Sequence, residues 1–389
     1  MKKRLKPEVA KLLGFEPKPK TIHGNPRYYL NAEKLEQLEK INKGILDSCN
    51  TLEVNPATVK HLWKKTKDES VFIKNPLFVE QQDKAFEEII NKLDANINEV
   101  IEKSVKRCKT KPKIIESNCL FDMTVFTDAH IAMNPNPNGF SLYGGKWDAE
   151  ELNIRKNILI NKILETKKSN KLIIFDLGDF MDGWDGETVR KGHKLPQNMS
   201  NEEAFDVALD FKISLIDVLI NEYKEIDIIN INDDNHSGAF SYVVNSSFKR
   251  FIEKRYNNIN VINQRKFIDH YIYNNKVFVA THGKDGVNLR FGFKPKLDAV
   301  QIEKIENYLF ENDLVSKNLE VFFIKGDSHQ DIFDNSTSQK FKYWNFPAFS
   351  PSSNWVQTNF KKGLSGFYNF NFKKDSYSQH PYYFKWENN

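Results

Sequence analysis

Five apolar runs in this chain end in the same way. FDMTVFTDAH, KLIIFDLGDF, EIDIININDDNH, KVFVATHG and LEVFFIKGDSH each begin apolar or alternating and close on Asp, Asn or His. A short apolar run bounded by polar residues reads as a strand. Between several of them lie AEELNIRKNILINKILE, EEAFDVALDFKISLIDVLINEY and AVQIEKIENYLFEN, whose apolar residues recur at helical spacing. Strands alternating with helices predict an α/β domain with a substantial parallel component. In such sheets functional groups gather at the carboxyl ends of strands, so the polar endings are expected to face a crevice.

Taken singly, each ending has an ordinary explanation: a capping Asp, a turn, a surface His. Taken in order they are D-A-H (128–130), G-D-F-M-D (178–182), N-H (235–236), H-G (282–283) and G-D-S-H (326–329). Four of the nine histidines fall at these exits, beside carboxylate and amide oxygens. Imidazoles mixed with carboxylates suit a first-row divalent metal better than a calcium cage. The ligands suffice for two metals sharing a carboxylate, an arrangement that activates water for in-line attack at phosphorus.

With these five motifs the sequence resembles the calcineurin-like metallophosphoesterases, whose pattern is D-x-H, G-D-x-x-D, G-N-H-D/E, a lone H and G-H-x-H, each at a strand end. The resemblance covers roughly residues 118–389 and implies a two-sheet metallophosphoesterase sandwich flanked by helices. It implies that Asp128 and His130 bind a first metal, that Asp179 bridges both, that Asn235 and His282 bind the second, and that His329 closes the first site. His236 is then the non-ligand that protonates the leaving oxygen, and Asp182 a carboxylate behind the ligands. Two departures stand out. Ser237 replaces the acid that usually orients the catalytic histidine, leaving Asp233, Asp234 or an acid remote in sequence to do so. Asp327 stands where the family has a histidine; as a harder ligand it tilts the site toward manganese or magnesium over nickel, zinc or iron.

G-D-F-M-D is closer to the form in the SbcD-like nucleases than to that of protein phosphatases, and Gly183 stands where the latter keep a phosphate-binding Arg. The layout is also similar to that of phage and prophage metallophosphoesterases. The resemblance thus implies a phosphodiester hydrolase, most plausibly a nuclease of DNA or RNA. A small-molecule phosphatase or cyclic-nucleotide phosphodiesterase is the alternative, and a DNA-binding protein with a degenerate metal domain a third reading. Arg190, Lys191 and His193, in the loop after the second motif, are candidate substrate contacts; a plain polar loop is about as good a description.

The first third is different. Residues 1–117 hold 24 of the 57 Lys+Arg but 17 of the 52 Asp+Glu, so the basic surplus lies there and a polyanionic partner such as nucleic acid is one expectation. Residues 1–75 read as short helical pieces broken by prolines, with a helix-turn-helix-like pattern around 55–76. Residues 86–105 read as one long amphipathic helix, expected to pack on the rest of the chain or else to pair with a second copy as a homodimer. The reading therefore divides the chain into a basic, mainly helical module (1–113) and a catalytic domain (114–389). Three cysteines without C-x-x-C spacing argue against a disulfide framework or a cysteine zinc site. The basic start MKKRLKPEVAKLLGF has too short an apolar run for a signal peptide, and no stretch approaches a membrane span, so a soluble cytoplasmic protein is expected.

Overall fold

The computed structural model describes residues 3–5, 28–30, most of 92–104, and 105–137, 145–188, 193–232, 234–283, 296–315, 319–353 and 364–385. Two compact units are distinguished, Met1–Asn91 and Lys92–Asn389. In the first, β1 (Lys3–Leu5) pairs antiparallel with β2 (Tyr28–Leu30), strands where helical pieces were expected. Two adjacent tyrosines favour that state. The helix-turn-helix-like stretch lies outside the described residues.

In the second unit the order is β3 (Phe121–Phe126), α1 (Ala149–Glu165), β4 (Lys171–Asp176), α2 (Asn201–Leu219), β5 (Glu225–Ile231), α3 (Ala239–Arg255), β6 (Ile259–Gln264), β7 (Asp269–Tyr273), β8 (Lys276–Thr281), α4 (Ala299–Glu311), β9 (Glu320–Lys325), β10 (Ile332–Asp334), β11 (Lys342–Asn345), β12 (Gly366–Phe372) and β13 (Tyr377–Tyr383). Three of the four labelled helices start where the sequence caps them. Asp148 accepts from Glu151 N at the head of α1, and reciprocal capping boxes, Ser200 with Glu203 and Asp298 with Gln301, open α2 and α4. The segment 92–113 groups with this second unit rather than with residues 1–91. Cys108 N donates to Arg255 O and Lys113 N to Asn221 O. Its described residues between 92 and 104 are helical, with Ile101 buried and Val100 exposed.

The strands form a six-stranded sheet, β13-β12-β3-β4-β5-β6, and a five-stranded one, β10-β11-β9-β8-β7. Strands β3 to β6 run parallel, as do β8, β9 and β11. Alternation along each strand divides the core in two. Phe121, Met123, Val125, Ile173, Phe175 and Ile229 meet Phe278, Phe322, Ile324 and Trp344 between the sheets. On the opposite faces, Leu172, Ile174 and Ile228 pack under α1–α3, and Val277, Val279, Val321 and Phe323 under α4. The strands that lead to the site are almost wholly buried on both faces, although β3 and β5 place Asp122, Thr124, Asp227 and Asn230 among their apolar residues. The result is the expected mixed α/β sandwich of two sheets flanked by helices. From the sequence, Trp355, Phe360, Phe367 and Phe370 are expected in the core of the second sheet. Phe367 and Phe370 are core, but their strand β12 returns to the first sheet, antiparallel to β3, and does not build the second. Trp355 and Phe360, also expected in the core, lie outside the described residues.

Candidate metal centre

All five motifs lie just beyond strand ends, and the backbone stitches them together. Asp128 N donates to Gly178 O, His130 N to Asp179 O and Asp182 N to Ile131 O, so the loops after β3 and β4 are zipped along their length. Gly326 N donates to His282 O and joins the loops after β8 and β9 in the same way. The turns are sharp. Asp128, His130, Asp179, Asp327 and His329 all have positive φ, between 44° and 66°, a region that costs most non-glycine residues energy but that Asp and His enter more readily. Gly178 is required twice over: its φ is 98°, and a Cβ there would lie 3.0 Å from His282 Nδ1.

These turns bring the side chains into three overlapping groups: Asp128 with His130 and His329, His130 with Asp179 and His236, and Asp128 with Asp179 and His282. Within each, one ligand atom per residue lies within 4.8 Å of the others. His329 Nε2 is 3.2 Å from Asp128 Oδ1, and His282 Nε2 is 2.9 Å from Asp179 Oδ2. Both carboxylates therefore span two groups, as a bridging ligand must. Asp327 joins none of the three, though its Oδ1 is 3.8 Å from His282 Nε2.

The fit to divalent ions rests on polar atoms left without partners. Asp128 Oδ1, Asn235 Oδ1 and His282 Nε2 are buried and make no well-aligned hydrogen bond, although His329 Nε2 stands 3.2 Å from the first and Asp179 Oδ2 2.9 Å from the last. Burying such atoms unsatisfied costs about 1–3 kcal/mol each, more for charged groups. Their other atoms are held: Thr127 Oγ1 and Asp327 N both donate to Asp128 Oδ2, and His282 Nδ1 meets Leu177 O at 2.9 Å. A histidine fixed at Nδ1 presents Nε2 to a metal. The oxygen and nitrogen donor set fits first-row divalent cations.

Asp182 answers the question raised by Ser237. Its Oδ1 lies 3.3 Å from His236 Nδ1 and 3.1 Å from His130 Nδ1, so one carboxylate stands behind both rings. It is the acid remote in sequence. Asp234 is occupied otherwise: it accepts from Ser237 N, Gly238 N and Ser241 Oγ and closes the turn into α3. Burial and the nearby Asp179 push its carboxyl up to about 6. Asp233 lies outside the described residues. His236 has 20% of its side chain accessible, against 8% or less for His130, His282 and His329. It is the ring a substrate would meet first. Since Asp182 stands behind one candidate ligand, His130, and the half-buried His236 ring, Asp182→Asn is expected to lower both metal affinity and turnover by roughly 10–100-fold. Loss of turnover with unchanged metal binding, by calorimetry, would confine Asp182 to His236.

Of the proposed substrate contacts, Arg190 and Lys191 lie outside the described residues. His193 is exposed, its backbone paired with Thr188, and no described contact brings it to the cluster. The sequence reading missed two buried lysines. Lys212 on α2 donates to Asp176 Oδ2 and Asn230 Oδ1, while Asp176 Oδ1 accepts from Gly178 N beside Asp179. Lys325 closes β9 beneath the cluster; burial pushes its ammonium down to about 8 against the pull of Asp327 and Asp128. A lysine within an apolar run (Lys212) or closing one (Lys325) was the signal.

The charges predict how the metal-free protein responds to pH. Burial alone would depress His282, but Asp179, Asp128 and Asp327 outweigh it and lift the ring to about 10; His130 and His236 are raised by the same balance. A histidine raised on folding contributes stability that is full below its unfolded value near 6.5 and is lost as pH climbs to the folded one. Asp128 and Asp179 are lowered, because the facing histidines outweigh burial, so their contribution is full above about 3.9 and is lost in acid. Melting temperature without metal is therefore expected to peak between about pH 4 and 6.5 and to fall toward pH 9. Saturating manganese, which displaces those protons, should remove the alkaline fall. Calorimetry with and without chelator checks this; a metal-free melting temperature flat to pH 9 contradicts it.

No protein-family model matches the sequence, and no curated protein matches it. Solved structures give distant likenesses. A double mutant of Vps29 from Entamoeba histolytica is 10% identical, with a TM-score of 0.29 over 68% of this chain and 99% of that one. A "predicted phosphoesterase" from Streptococcus pneumoniae is 9% identical, with a TM-score of 0.27 over 67% and 97%. A 5'-nucleotidase from Candida albicans is 10% identical, with a TM-score of 0.32 over 71% and 53%. TM-scores this far below 0.5 lend no weight to any function, which has to be argued from the side chains themselves.

Proposed function

We propose that this chain is a two-metal phosphodiester hydrolase, with nucleic acid as its substrate class and manganese as its preferred ion. The reading is carried by the buried, unpartnered Asp128, Asn235 and His282 atoms converging at the strand ends beside an accessible histidine. Asp128, His130 and His329 would hold one ion, Asn235 and His282 the other, with Asp179 shared and Asp327 beside His282. Bound there, the ions supply Lewis-acid polarisation of the phosphate and a water nucleophile near neutral pH. His236 gives its proton to the departing oxygen, its ring steadied from behind by Asp182.

Preference for diesters is supported by Gly183. Its φ is 130°, and a Cβ there would stand 2.6 Å from Glu187 O and 2.9 Å from Leu195 Cδ1. An arginine clamp for a dianionic monoester has no room at this position. Either ester expels an alkoxide that needs both the ions and the acid, so the missing clamp for the extra negative charge of a monoester is what separates the two substrates. Diester cleavage is therefore expected to exceed monoester cleavage at matched leaving group, in parallel assays with manganese, magnesium, nickel and zinc that include labelled DNA and RNA. Efficient monoester hydrolysis without cleavage of any nucleic acid would overturn the nuclease reading in favour of a small-molecule phosphatase.

A further inference from the structure

Helix α2 sends a lysine into the core. Lys212 is buried, along with Ala208, Phe211, Leu215 and Ile216 of the same helix. Its Nζ donates to Asp176 Oδ2 at 2.6 Å and to Asn230 Oδ1 at 2.8 Å, and it lies 4.2 Å from the centre of the Phe180 ring. Asp176 ends β4, and its second oxygen accepts from Gly178 N at 3.2 Å, the short turn that aspartate makes with the backbone two residues on. Phe180 is buried against Phe126 and Phe211. The ammonium therefore touches the chain on both sides of Gly178 and Asp179, the bend whose φ values are 98° and 46°. A non-glycine residue in that left-handed region persists only where its surroundings over-determine it. A buried ion pair often gives a fold no more stability than apolar side chains of the same volume, whereas removing one partner leaves a charge the core cannot solvate. Helix α2 is already seated by its apolar face. What the pair adds is direction: Asp176 is turned so that its second oxygen meets the Gly178 amide, and the same cation lies against the Phe180 ring.

We propose that the buried Lys212–Asp176 pair is a positioning element for Asp179, holding the bend that presents this carboxylate to the two ligand groups it shares. Its consequence for metal binding rests on the functional reading above; the hold on the bend does not. The test uses the full chain with Lys212→Met, Asp176→Asn and both together. Two quantities are read well below the melting temperature: hydrogen exchange of the 177–182 amides in the metal-free protein, by mass spectrometry, and manganese affinity, by calorimetry. Lys212→Met strands the carboxylate, which then lets go of Gly178 N. Exchange in 177–182 should quicken more than in β3, and manganese binding should weaken roughly tenfold, the low end for a group that orients a ligand. Asp176→Asn alone turns an amide toward the ammonium and should act likewise. The double variant buries no charge and keeps an oxygen for Gly178 N, so it should recover most of both losses. Single effects that simply multiply in the double variant overturn the pairing. Exchange in 177–182 no faster than elsewhere overturns the positioning role, whatever the melting temperature does, and so does faster exchange with parent-like manganese affinity. If Lys212→Met does not fold, the double variant is compared with Lys212→Met plus Asp176→Leu, which offers Gly178 N no acceptor. Faster exchange in the leucine variant supports the proposal, and equal exchange overturns it. Should the parent chain bind no manganese, the functional reading fails, and the metal-free exchange comparison still decides the hold on the bend.

Discussion

Asp179→Ala is expected to lose about 10⁴-fold in activity, with most of the bound metal, because one carboxylate belongs to two of the three ligand groups. The figure corresponds to the several kcal/mol of charge stabilisation a metal contributes, at about 1.4 kcal/mol per tenfold. The substitution also removes the carboxylate 2.9 Å from His282 Nε2 and the acceptor of the His236 backbone N–H. Metal content and turnover should fall together. A purified parent chain that carries no divalent metal, and that none activates, would end the hydrolase reading altogether.

His236→Ala should behave differently. Both ions should remain, while turnover falls by about 10²–10⁴-fold, the range for a lost general acid. The defect should shrink on substrates with good leaving groups, which depart without a proton. This separates the acid role from ligation, a real alternative here because His236 lies close enough to His130 and Asp179 to form one of the groups. Loss of metal in the variant would make it a ligand; an equal defect on good and poor leaving groups would remove it from the acid role.

The strands that carry the site were legible because both of their faces are buried, so they are rich in apolar residues, with Asp122, Thr124, Asp227 and Asn230 as buried exceptions, and end abruptly in polar ones. Helix α3 was not read. Asn245, Ser246 and Ser247 are buried in its middle and break the apolar period that would have announced it. Strand β6 was missed for the opposite reason: it lies at a sheet edge, and the exposed Asn260 and Ile262 interrupt its core positions. At the site, residue types and their order were readable, but orientation was not. That Asp182 faces two imidazoles at once depends on the backbone zipper between residues 128–131 and 178–182, a pairing outside any strand. The approach of the Lys325 stem to Gly283 was likewise invisible, because the two lie far apart in the chain.

The candidate ligands divide between the sheets. Asp128, Asp179 and Asn235 follow strands of the six-stranded sheet, and His282, Asp327 and His329 follow strands of the five-stranded one. Beside the ring packing, Asp327 N donating to Asp128 Oδ2 and His282 Nδ1 meeting Leu177 O already tie the two sheets at this end. An ion held by Asp179 on one side and His282 on the other would add a rivet through the same seam. The cation would then be a fastener as well as a reagent, and its binding would be linked to the registry of the two sheets.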